Sequence, residues 1–146
     1  MSINSKTLTN ANSILRLRCK GIYDDWVIIR GFQADNRTTA DNRTLAQTED
    51  GVDGITSGGY VYESQNFNVH IMPNSPSIDV FRNIIRHFDG NMEIAVIEFE
   101  QVQTALNRQA NFSGFMTSGT GLSGGGKLFV GEQYNFRVTP VVEDNI

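Results

Sequence analysis

Apolar and polar residues alternate with a period of two along most of this chain, and in one stretch the period becomes helical. Phe67, Val69 and Ile71 alternate with Asn66, Asn68 and His70, which predicts a strand with one apolar and one polar face. Pro73 and Pro76 follow, and neither can donate to a sheet ladder. Ile78, Phe81, Ile85 and Phe88 then recur at helical spacing with Ile84 beside them, so these five side chains are expected to pack a helix on the sheet. Ser75 is the expected N-cap, with Pro76 at the first helical position, where a missing N–H is harmless. Asp79 in the first turn and Arg86 and His87 in the last suit the helix dipole, and Gly90 is the expected C-terminal cap.

Elsewhere the alternation predicts strands. Residues 14–18 form the first, and Gly21 allows a turn. Residues 22–31 contain Trp26, Val27, Ile28 and Ile29, apolar on both faces, which places that strand centrally or against another subunit. Residues 93–102 put Ala95, Ile97 and Phe99 on one face and Glu98 and Glu100 on the other. After a turn at 103–108, residues 109–117 place Ala110, Phe112 and Met116 together. A glycine loop covers 118–126, and residues 127–141 set Leu128, Val130, Tyr134, Phe136 and Val138 against Lys127, Gln133, Asn135, Arg137 and Thr139. These last three elements read as a meander.

Residues 34–59 break the pattern. They are polar, rich in Asn, Asp, Thr and Gly, and contain one duplicated pentapeptide, Ala34-Asp35-Asn36-Arg37-Thr38 and Ala40-Asp41-Asn42-Arg43-Thr44. A single duplication is not a solenoid. As a loop the segment far exceeds the usual connection of about 4–6 residues. It reads as a solvated loop, a functional or disordered loop, or an extended hairpin that gains order against neighbours. Residues 1–12 read as a polar arm.

Composition narrows the function classes. The 146 residues suit a single domain, able to bury about 70% of its unfolded surface. A net charge of -4 argues against a surface that grips nucleic acid, although an acidic lining would let a polyanion pass without sticking. Cys19 is alone, so no intrachain disulfide is expected. The opening residues MSINSKTLTNANS lack an apolar run, and no apolar stretch is long enough to span a bilayer. Synthesis in a cytoplasm without export and without a membrane partner is therefore expected. Asn36-Arg37-Thr38, Asn42-Arg43-Thr44 and Asn111-Phe112-Ser113 match the glycosylation pattern, by chance if the chain is not secreted.

Chemistry is suggested and mostly fails. Gly119-Thr-Gly121-Leu-Ser-Gly124 has dinucleotide-fingerprint spacing, and residues 121–127 match most of a P-loop. Both need a following helix whose N-terminus holds phosphate, and a strand pattern follows instead. Position 128 is Leu, where a P-loop needs a hydroxyl for magnesium. His70, His87 and Cys19 do not make a metal site. Glu98 and Glu100 share a face without a pocket to separate their pKa values, and read as a solvated acidic surface. No nucleophile–base set is visible. Neither a cofactor nor an enzyme is expected.

The order of elements resembles a known family. A strand ending in apolar residues, then Pro73-Asn74-Ser75-Pro76-Ser77, one helix and strong strands to the C-terminus resembles the tail tube proteins of bacteriophages. The tubes of contractile injection systems share that fold. The resemblance runs over residues 14–141, while the pentapeptide repeat and the glycine loop are not matched to it. It implies a mainly β (α+β) fold: a β-sandwich or barrel of antiparallel strands with one flanking helix. It also implies hexameric rings whose inner strands join into one barrel, stacked into a tube that conducts DNA without binding it specifically. The implied setting is a virion tail, with sheath, tape-measure, tail terminator and baseplate proteins as further partners. In the family an extended loop or hairpin after the second strand meets the adjacent ring. That implies inter-ring contacts from Asp35, Asn36, Arg37, Asp41, Asn42, Arg43, Glu49 and Asp50. Glu98 and Glu100 are expected to line the channel. Removing residues 35–50 is then expected to leave a folded domain that does not polymerise. Two alternatives remain: the tube of a secretion or bacteriocin-like injection machine, and a monomeric β-sandwich module binding a ligand through residues 34–59.

Overall fold

The structure is a computed structural model that describes residues 2–3, 13–32 and 38–146. Among them are one α-helix and a large antiparallel sheet. The sheet has eight strands: β1 (Ile14–Cys19), β2 (Tyr23–Ile29), β3 (Thr38–Ala40), β6 (Gln65–Ile71), β7 (Ile97–Gln103), β8 (Arg108–Gly119), β9 (Glu132–Val138) and β10 (Asp144–Asn145). Seven run in the order β2-β1-β7-β8-β9-β6-β3, and β10 pairs with β8. A separate two-stranded ribbon is formed by β4 (Ala46–Asp50) and β5 (Thr56–Tyr60). The meander expected from the alternation is β7-β8-β9.

The sheet curls over its own core. β6 and β7 are three strand spacings apart, roughly 14 Å on a flat sheet. Yet the Phe67 ring of β6 lies 5.4 Å from Phe99 of β7 and 4.7 Å from Phe112 of β8. The edge strand β3 reaches the same side, where Gln101 Nε2 donates to Thr38 Oγ1 at 3.3 Å. The result is a β-sandwich made largely from one sheet, closed at one end by the helix α1 (Ile78–Asn91). Ile78, Phe81 and Ile84 of α1 are buried, and Ile85 and Phe88 are half-buried against the same core. Phe81 stacks on Tyr134 at 4.6 Å.

The helix ends differ from those expected. α1 begins at Ile78 behind Ser77, with no side-chain cap. Ser75 Oγ still accepts from Ser77 N at 3.1 Å, the bond expected of a capping serine two residues ahead, and it donates to the Arg30 carbonyl at 2.5 Å, while Arg30 N donates to Ser77 Oγ at 2.8 Å. The two serines staple the approach to the helix onto the end of β2. Gly31 permits this close approach, because a Cβ there would lie 2.5 Å from Ser75 Oγ and its φ is +72°. At the other end α1 runs through Gly90, and Met92 takes the left-handed capping conformation (φ 54°). Arg86 and His87 therefore lie before the last turn, which holds no basic residue. Asn91 Nδ2 donates to the His87 carbonyl at 3.0 Å, satisfying a terminal acceptor.

Three strand readings also change. β2 is an outer strand of the described sheet rather than a central one, and Trp26 and Ile28 stay 38% and 39% exposed among the described residues. β7 starts at Ile97 rather than at residue 93, leaving Ile94 and Val96 exposed. β9 covers only Glu132–Val138, because residues 124–130 fold back on themselves through Val130 N to Gly124 O at 2.7 Å.

Gly114 marks the tightest approach in the sheet. A Cβ there would lie 2.1 Å from the Arg137 carbonyl oxygen and 2.6 Å from Val138 Cα, both backbone atoms that cannot swing away. Gly114→Ala is expected to lose at least about 3 kcal/mol in urea unfolding, at the upper end of overpacking effects. A loss below about 1 kcal/mol would mean that β8 and β9 separate easily.

Candidate assembly surface

The β4–β5 hairpin is built from residues with no apolar alternation, and every residue from 44 to 60 is exposed. Its strands pair only with each other. The turn is held by Gly51 N donating to Ile55 O at 2.8 Å and by Ile55 N donating to Asp53 Oδ1 at 3.1 Å. Thr56 Oγ1 donates to Asp50 Oδ1 at 2.6 Å across the ribbon. Leu45, Val52, Ile55, Tyr60 and Tyr62 are all open to solvent.

The root of this ribbon is polar and well bonded. Val61 N donates to Leu45 O at 3.0 Å, and Thr44 N to Glu63 Oε2 at 3.1 Å. Glu63 also pairs with Arg137 of β9 at 3.5 Å. Hydrogen bonds from Thr44, then Arg137, hold the Glu63 carboxyl below the usual carboxylate range. A lowered folded-state value means that this contribution is present at neutral pH and is lost as pH falls through it.

The residues expected at an inter-ring contact divide. Asp35, Asn36 and Arg37 lie outside the described residues. Asp41 sits at the root, its backbone N bonded to Asn66 O and its carbonyl to Gln65 Nε2. Asn42 is exposed and Arg43 half-buried beside it. Glu49 and Asp50 lie on β4. Of the pentapeptide repeat, residues 34–37 lie outside the described residues, and Thr38 to Ala40 form β3 in the main sheet.

Glu98 and Glu100 share the polar sheet face, as expected, but that face is not a solvated acidic surface. Arg18 stands opposite Glu98 and Arg16 opposite Glu100 in the β1–β7 register. Arg18 Nε reaches Glu98 Oε2 at 2.8 Å, its Nη2 bonds the same oxygen, and Arg16 Nη1 reaches Glu100 Oε1 at 3.4 Å. The Arg18 guanidinium also lies 4.7 Å from the Trp26 ring centroid. The two charge signs cancel along this strip. The signal was present in the sequence as two arginines and two glutamates, each pair two residues apart on strands.

No family model and no curated protein matches the chain. A solved structure does. It is the cryo-EM structure of the anti-feeding prophage cap, described as a tube terminating cap, with a TM-score of 0.54 and 11% identity over 100% of this chain and 95% of that one. The fold is tail-tube-like. At that identity the likeness speaks for architecture alone.

On this tail-tube-like fold the sequence reading missed one charged group. Glu132 opens β9 and is fully buried. Arg82 of α1 donates to both its oxygens at 3.2 Å, and the Tyr134 hydroxyl donates to Oε1 at 3.1 Å. Burial first, and then the Glu132 charge, push the Tyr134 phenol up to about 12. The folded state therefore holds this proton more tightly than the unfolded chain, and the stability it contributes is lost as pH rises from about 10 to about 12. Tyr134→Phe is expected to abolish about 2 kcal/mol of that alkaline loss, read from urea midpoints across the window. An unchanged alkaline slope would show that the phenol titrates freely. Among the described residues no group of three or more His, Cys, Asp or Glu could hold a metal. Burial, then Asp24, raise the Cys19 thiol, which makes it a poor nucleophile. No helix among the described residues is long and apolar enough to cross a membrane.

Proposed function

We propose that this chain is a structural subunit of a tail tube, whose copies close into hexameric rings that stack. The observation that carries this reading is the β4–β5 hairpin, fully exposed and paired only with itself. An isolated two-stranded ribbon is marginal in water. Seated on the adjacent ring, it would cover Leu45, Val52, Ile55, Tyr60 and Tyr62. The outer strands β2 and β3 suit ring closure, since pairing β2 of one copy with β3 of the next removes both open edges. The polar face carrying Arg16, Arg18, Glu98 and Glu100 is the proposed lumen wall. The pairing of its arginines with glutamates supports passage of DNA, because cations already neutralised within the wall release few counterions and grip weakly. Negative-stain imaging and sedimentation of the purified protein test the reading. Stacked rings are expected; a monomer at high concentration, absent from particles, overturns it and favours a ligand-binding module.

The tail-tube-like likeness to a tube terminating cap favours a second reading, in which the chain ends a tube instead of extending it. On that reading the protein would be found at tube ends, whereas a tube subunit would be found along their length. DNA inside the particle separates a virion tail from an injection machine.

A further inference from the structure

We infer that the glycine-rich knuckle between β8 and β9 of one copy plugs into a groove at the C-terminal end of α1 of a second copy. This rests on the assembly reading above and specifies one contact within it. The knuckle is a built feature: Gly125 bridges to Phe129, Val130 N donates to Gly124 O at 2.7 Å, and Gly126 N to Leu128 O at 3.1 Å. Its tip presents Lys127 beside Leu128 and Phe129, which are 81% and 75% exposed. Leu122 and Val130 extend this apolar surface. The groove is lined by Phe88, Asp89, Met92, Glu93 and Ile94, with Met92 and Ile94 exposed. Clustered apolar side chains open to water mark an interaction surface.

Charge selects the occupant. The knuckle carries one cation, Lys127, and the groove two anions, Asp89 and Glu93, four residues apart around the helix end. Among the described residues none of these three side chains makes a hydrogen bond or ion pair, although five arginines are paired with glutamates elsewhere. An exposed apolar tip with a central cation therefore matches a shallow, partly apolar depression rimmed by anions, and one chain carries both halves. Two different surfaces of the same chain that fit each other make a head-to-tail contact. Such contacts generate rings or helical stacks, not closed twofold dimers.

Charge reversal tests this. Lys127→Glu alone, and Asp89→Lys with Glu93→Lys, should each raise the concentration needed for assembly at least about tenfold in sedimentation, through like-charge juxtaposition. Thermal unfolding checks that each variant folds. Combining all three changes should restore assembly. Mixing the knuckle-reversed protein with the groove-reversed one should also restore assembly, now with the two alternating, since both contacts between unlike copies are matched and only those between like copies repel. Variants that assemble like wild type while wild type forms stacked rings overturn this contact and leave the assembly reading standing. A wild-type protein that stays monomeric overturns both. Restoration by the triple change without restoration on mixing would place the contact within one copy and also overturn the inference.

Discussion

A chain lacking residues 46–60, with Leu45 joined to Val61 through a short glycine turn, is expected to fold as the full-length protein does and to form no stacked rings. Leu45 and Val61 are already a hydrogen-bonded pair at 3.0 Å, so a two-residue turn can close the gap. All fifteen residues removed are exposed, and none belongs to the core cluster. Loop-closure entropy changes slowly with length, so the shortened connection alters stability by less than about 1 kcal/mol. Thermal unfolding by circular dichroism should therefore move by only a few degrees. Sedimentation and negative-stain imaging should show the large change, from stacked rings to small species. Stacked rings from the shortened chain would remove the hairpin from assembly, and loss of the fold would place it within the body of the domain. The cut at 35–50 that the sequence suggests is the wrong one, because it would remove β3, uncover β6 and leave β5 without its partner.

Phe81→Ala is expected to cost about 3–5 kcal/mol, a large part of the about 5–15 kcal/mol stability of an ordinary domain. Phe81 is fully buried, stacked on Tyr134 with an interplanar angle of 14° and tilted against Phe136 at 6.1 Å. Truncation loses the transfer energy of the ring, leaves a cavity under the helix, and removes aromatic pairs each contributing about 0.5–1.5 kcal/mol. Phe88, half-buried near the end of the same helix, serves as the comparison. Phe88→Ala should lose only about 1 kcal/mol. Urea unfolding of both variants gives the difference. Equal losses would show that the helix is held by its general apolar area and not by this stack.

What could be read in the sequence follows from where local rules and tertiary contacts agree. β6 and the apolar stripe of α1 were legible because Phe67, Val69 and Ile71, and then Ile78, Phe81 and Ile84, face one core at the period of their own element. The start of α1 was not, because Ser75 and Ser77 bond the Arg30 backbone, a partner 45 or more residues away. The alternation of residues 127–131 also misled, since glycines at 124–126 turn that segment into a knuckle before β9 begins. Glu132 shares the buried face with Tyr134 and Phe136 by simple alternation, but its charge disguises the position, because the partner that permits its burial, Arg82, lies 50 residues away on α1. An extended hairpin is one of the readings of residues 34–59, and its strand bounds were hidden for the opposite reason. With both faces wet, AQTED and TSGGY carry no apolar period at all.

Arg137 has a consequence beyond its own strand. Its guanidinium bonds Ser64 Oγ at 2.6 Å and Asn66 Oδ1 at 2.9 Å while pairing with Glu63 at 3.5 Å, so one planar group fixes the base of the protruding arm against β9. The direction in which that arm leaves the body is thus set by a bracket of side chains rather than by the arm itself. In a polymer whose successive layers meet through such arms, the rotation between layers would be inherited from this bracket. A rigid joint of this kind makes the twist of a long filament uniform from end to end.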